Sequence, residues 1–88
     1  MSRVVVVYKP NSEYARIIED YIRDFYRQTG RQLDTLDPET REGIAFCETY
    51  DVIEYPSIVA VSNDGQVLNS WRGLPPLPTM SDLSYYNM

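Results

Sequence analysis

One thiol, one lysine and no imidazole bound what this chain can do chemically. A lone cysteine, Cys47, cannot close an internal disulfide, and the absence of histidine removes the commonest metal ligand and the commonest general base. Metal-dependent and Ser-His chemistry are thereby poor fits, and neither a metal site nor a catalytic residue is expected. Glu13, Glu19, Asp20 and Asp24 are interleaved with Arg16, Arg23 and Arg27. That alternation describes a solvated helix face with local ion pairs, not a pair of catalytic carboxylates. Cys47 stands three residues from Ile44 and three from Tyr50, on an apolar stripe, so a buried and inert thiol is expected; only an exposed one would suit redox sensing or an intermolecular disulfide. Eight tyrosines in 88 residues are an excess. Tyr14, Tyr21 and Tyr50 fall on helical stripes and are expected in the core, whereas Tyr8, Tyr55 and Trp71 are free to line a binding surface. Rigid aromatic rings bury area at low entropy cost, which suits protein or peptide contacts. Tyr85 and Tyr86 either dock on the sheet or serve a partner.

The elements that must position these residues follow from length and periodicity. Eighty-eight residues make one domain, 1–88, with 43% hydrophobic and 24% charged residues, the composition of a folded globular domain. No apolar run approaches the roughly 18 residues of a membrane helix, and Val4–Val7 is too short for a signal-peptide core; a cytoplasmic protein is expected. The net charge of −5 repels phosphate backbones and anionic headgroups, so neither nucleic acid nor membrane is an expected partner. Val4 to Tyr8 is a continuous apolar run that suits a central strand buried on both faces. From Ser12, apolar residues Tyr14, Ile17, Ile18, Tyr21, Ile22 and Phe25 recur at helical spacing, with Asn11 or Ser12 available as cap and Gly30 as terminator. Gln32-Leu33-Asp34-Thr35-Leu36 reads as a short strand. Asp37-Pro38 opens a second helix, Glu39 to Tyr50, with Ile44, Cys47, Tyr50 and Phe46 on its apolar side. After Pro56, Ile58-Val59-Ala60-Val61 is a buried strand, Asn63-Asp64-Gly65 a hairpin turn and Gln66 to Trp71 the return strand, ended by Gly73. The proline tract Leu74 to Pro78 excludes regular structure, and Thr79 with Asp82 caps a last short helix. The order is β-α-β-α-β-β-α.

This order resembles the thioredoxin fold. Val4 to Tyr8 running into Lys9-Pro10-Asn11-Ser12-Glu13-Tyr14-Ala15 is similar to the opening of a glutaredoxin, in which a strand passes through Lys-Pro to a Cys-x-x-Cys helix start. Tyr50 to Ile58 resembles the thioredoxin segment carrying a cis proline, and Asn63 to Gly73 resembles the same family's hairpin and closing glycine. The resemblance implies an α/β thioredoxin-like fold with a four-stranded mixed sheet and helices on both faces. The departure is chemical, for Ser12 and Ala15 stand where the family has its cysteines. A thiolate at a helix start and a second, resolving thiol are required for disulfide exchange, and a serine hydroxyl neither ionises there nor forms a disulfide.

What the resemblance implies is a groove of Lys9, Ser12, Tyr14, Tyr55, Pro56 and Gly73, with the Tyr55–Pro56 bond cis, that pairs with an extended protein or peptide segment. In the enzyme-like alternative Lys9 attracts a carboxylate of glutathione and Ser12 donates a hydrogen bond to its thiol. Ser12 as a plain helix cap and Lys9 as a solvated loop lysine are the plainer readings. A third possibility is an assembly domain acting through a sheet edge or the tyrosine-rich end; the oligomeric state is open. No cofactor is expected beyond glutathione as a candidate ligand. The expected outcome of an insulin-reduction assay is no turnover above the uncatalysed rate, and turnover comparable to a dithiol thioredoxin would refute the chemical reading of Ser12 and Ala15.

Overall fold

The computed structural model describes residues 2–73 and 77–86. It contains β1 (Ser2–Val7), α1 (Ala15–Thr29), β2 (Asp34–Leu36), α2 (Arg41–Tyr50), β3 (Ser57–Ser62), β4 (Val67–Arg72) and α3 (Met80–Tyr86). The sheet order is β2-β1-β3-β4, with β1 parallel to β2 and antiparallel to β3, and β4 antiparallel to β3. This is an α/β thioredoxin-like fold with a mixed four-stranded sheet and helices on both faces. Among the described residues no helix is long and apolar enough to cross a membrane.

The four valines of β1 are all buried because the strand is covered twice. Val4 and Val6 join Ile58, Ala60, Ile18, Ile22, Phe25 and Leu83 on one face, and Val5 and Val7 join Val59, Val61, Phe46, Cys47 and Val52 on the other. Successive strand side chains point to opposite faces, so only an unbroken apolar run satisfies both cores.

The helices depart from the sequence expectation in ways that packing explains. α1 begins at Ala15, not Ser12: Tyr14 holds the capping position without a side-chain cap, and the Ser12 hydroxyl donates back to the Lys9 carbonyl at 2.7 Å. The buried stripe is the strict 3-4-3 set Ala15, Ile18, Ile22 and Phe25, which leaves Tyr14 (45% exposed) and Ile17 (54%) outside the core. Tyr21 is half-buried, and its hydroxyl donates to the Pro78 carbonyl at 2.5 Å. Gly30, at φ 73°, ends the helix as expected. α2 begins at Arg41 because Asp37 and Pro38 form a separate turn. There the Asp37 carboxylate accepts from the Glu39 amide at 2.9 Å, and Thr40 caps the helix by accepting from the Gly43 amide at 3.0 Å. Gly43 explains why Ile44 is exposed where the spacing predicted core. A Cβ at residue 43 would lie 1.9 Å from the Asp37 carbonyl oxygen, so α2 seats its glycine against that turn and buries Gly43, Phe46 and Cys47, turning Ile44 outward.

Beyond α2, Arg72 on β4 donates to the Asp51 carbonyl at 2.6 Å and the Tyr50 carbonyl at 3.3 Å, neutralising the negative end of the helix. The hairpin turns through Gly65 at φ 85°, and a register shift at Ala60/Val61 leaves Leu68 without a partner on β3. The Thr79 hydroxyl accepts from the Asp82 amide while the Asp82 carboxylate accepts from the Thr79 amide, the reciprocal cap expected of that spacing. Leu74, Pro75 and Pro76 of the expected proline tract lie outside the described residues.

Two outcomes follow from this packing. Gly43→Ala should destabilise by about 1–3 kcal/mol through overpacking against Asp37, a Tm decrease of roughly 4–8 °C per kcal/mol read by thermal melting; an unchanged Tm would contradict the close approach. Burial, and secondarily the nearby Asp82 carboxylate, push the Tyr21 hydroxyl up to about 12. The folded chain therefore holds this proton more tightly than the unfolded chain, and its contribution is intact below pH 10 and lost as pH rises through 12. Alkaline denaturation should show this loss in the native chain and not in Tyr21→Phe.

Candidate functional site

Register gathers the candidate residues at one end of the sheet. Val7 pairs with Ser57, and Ser57 with Arg72, so the chain just beyond β1, just before β3 and just after β4 emerges side by side. Those positions are Lys9, Pro56 and Gly73. The Gly73 amide donates to the Pro56 carbonyl at 2.8 Å, adding one rung past the end of the ladder. Gly73 has φ 77°, so a side chain there is disfavoured by the backbone, and the atom a Cβ would meet, at 3.0 Å, is the movable end of the Glu54 carboxylate. The Tyr55–Pro56 peptide is cis. Ser57 is fully buried, and its hydroxyl donates to the Glu54 carbonyl at 2.6 Å, fixing the turn from beneath. Neither the amide nor the carbonyl of Tyr55 has a backbone partner among the described residues.

The side chains above this turn are partly assembled. The Lys9 ammonium lies 5.4 Å from the centroid of the Tyr55 ring, within cation–π range. Ser12 is tied to Lys9 through its hydroxyl. The Tyr55 ring packs against the core of Val5, Val7 and Cys47. Its hydroxyl is held above the usual tyrosine range by burial first, then by the Cys47 thiol beside it. Lys9, Ser12, Tyr55, Pro56 and Gly73 thus form a connected set. Tyr14 is at the head of α1 with its side chain exposed, and no hydrogen bond or ring contact ties it to that set among the described residues.

Tyr8 and Trp71, which were expected to be free for the groove, are placed elsewhere by strand alternation. Tyr8 shares the face of Val4 and Val6, and its hydroxyl donates to Glu19 of α1 at 3.1 Å; burial, then this carboxylate, raises its pKa. Trp71 stands opposite Ile58 and packs edge-on against Tyr86 of α3, ring centroids 5.9 Å apart. Cys47 is buried, as expected for a core thiol. Among the described residues no grouping of three His, Cys, Asp or Glu could hold a metal ion. Sequence reasoning missed a hollow of about 420 Å³ between α2 and the 51–55 connection, entered past Ile44 and Ile53 and bounded by Tyr55. Its legible signal was Ile53, a second aliphatic residue after Val52 in a connection too short to cover both.

No family model matches the chain, and no curated protein matches it. Solved structures do. One, described as "Structure of a malarial protein", superimposes with a TM-score of 0.67 at 14% sequence identity, covering 98% of this chain and 92% of that chain. At that identity the likeness speaks to fold alone.

Proposed function

We propose that the chain is a redox-inactive thioredoxin-like module that binds an extended protein or peptide segment along the Tyr55–Pro56–Gly73 edge. The observation that carries this reading is the backbone of Tyr55, which has no backbone partner among the described residues. Gly73 already satisfies the Pro56 carbonyl, so among the described residues the next amide and carbonyl open to pairing on that edge belong to Tyr55, flanked by an aromatic ring and a cation. An extended segment pairing there gains main-chain hydrogen bonds, and a residue without a side chain at 73 leaves room for it.

Glutathione is the competing ligand. Its enzyme-like use needs Ser12 to donate to a thiol, but the Ser12 proton is already given to the Lys9 carbonyl. That commitment favours the peptide. An assembly role draws on different residues, the exposed Val67 and Leu68 of β4 and the exposed Tyr85.

The test uses a peptide selected against the native chain from a random display library and titrated by calorimetry. Tyr55→Asp and Lys9→Ala are expected to weaken it by about tenfold or more, roughly 1.4 kcal/mol. Arg27→Ala, on the solvated face of α1, should be silent. Equal loss from Arg27→Ala, with Tyr55→Asp unaffected, would move the interface off this edge.

A further inference from the structure

The hollow beside Tyr55 has walls and a rim of different character. Ile44, Cys47, Val52 and Tyr55 supply apolar wall, and Ile53 at its mouth is 77% exposed while Ile44 is 46% exposed. Single exposed aliphatic side chains are ordinary on a protein surface; two on the rim of one recess form a patch. The charged lining residues are Glu48 and Asp51, both acidic. Glu54 follows Ile53, and its carboxylate reaches toward Gly73, so acid also lies between the hollow and the edge. Glu48, Asp51 and Glu54 take part in none of the ion pairs among the described residues, while Lys9 sits over the Tyr55 ring and Arg72 donates to the Tyr50 and Asp51 carbonyls. An apolar recess thus carries acidic residues that enter no ion pair among the described residues, on a chain of net charge −5.

We infer that this hollow takes an aliphatic side chain from a basic peptide segment, one whose anchor residue is flanked by arginine or lysine. A cationic flank meets Glu48, Asp51 and Glu54 with complementary charge, whereas a second copy of this chain would bring the same three acids face to face. An anionic lipid surface is repelled for the same reason. The volume of about 420 Å³ accommodates one large aliphatic side chain with its adjoining backbone. This assignment rests on the peptide-binding reading, since Tyr55 is shared by the hollow and the edge, and it specifies the partner's chemistry.

Fluorescein-labelled peptides test it by anisotropy: a central leucine flanked by arginines, the same leucine flanked by glutamates, and a serine flanked by arginines. The leucine–arginine peptide should bind about tenfold tighter than either control, and weaken markedly between low and about 0.5 M salt. Ile53→Ser, a surface change that leaves the core and the charge intact, should cost about tenfold, and Glu48→Gln should flatten the salt dependence. Folding of each variant is checked by circular dichroism. Loss of binding in Ile53→Ser with Lys9→Ala silent would keep the hollow and remove the edge from the interface. Loss in Lys9→Ala with Ile53→Ser silent would overturn the hollow while keeping the edge. Equal affinity for the leucine and serine peptides would overturn the anchor, and self-association abolished by Ile53→Ser would make a second copy the occupant and overturn the basic segment.

Discussion

Everything in this molecule is arranged around a strand that cannot face water on either side. Val4 to Val7 are fully buried, which requires α1 and α3 against one face of β1 and α2 against the other. Leaving any of these valines exposed would forfeit on the order of 1.5–3 kcal/mol of burial each, a large share of what holds a domain of this size together. Double coverage also sets the positions of the two connections that leave β1 and enter β3. Because Val7 pairs with Ser57, the Lys9 loop and the Pro56 turn must emerge together. The candidate site is a geometric consequence of the core.

At that end of the sheet the local contacts hold the side chains in place. Ser12 lies near the head of α1, where a helix dipole would activate a thiol, yet its hydroxyl proton is turned backward to Lys9 and Ala15 is buried. Tyr55 is held between the Lys9 ammonium above and the apolar core below, which gives the turn a rigid aromatic surface. Arg72 serves the carbonyls that end α2 and so braces the 51–55 connection against β4. The outcome is a braced backbone edge and an apolar recess beside it, lined by the acids Glu48 and Asp51.

Much of this was legible in the chain. Period and punctuation marked all seven elements in order: the valine run, Gly30, Asp37-Pro38, Asn63-Asp64-Gly65 and the Thr79–Asp82 pair each acted locally, through backbone conformation or a side chain bonding a nearby amide. Lys9, Tyr55, Pro56 and Gly73 were legible as a set only through resemblance, because sixty-four residues of chain separate the first from the last and no local rule spans that distance.

What the tertiary structure alone decided is which face of each element meets the core. Ile44, Ile17 and Tyr14 have the spacing of buried residues, but the sequence does not reveal that the Asp37 carbonyl would press on residue 43 and rotate α2 about its glycine, nor that α1 needs only the narrow Ala15–Ile18–Ile22–Phe25 stripe. Trp71 went to the α1 and α3 side because its pairing with Ile58 fixed its parity on the strand, and Tyr8 because it continues the alternation of Val4 and Val6 just past β1, its amide bonded to the Leu36 carbonyl; a one-residue difference in register would have reversed the face of Trp71. Periodicity specifies that a face is apolar; only contact between elements distant in sequence specifies how much of it is covered, and the uncovered remainder, Ile44 and Ile53 beside Tyr55, became the recess.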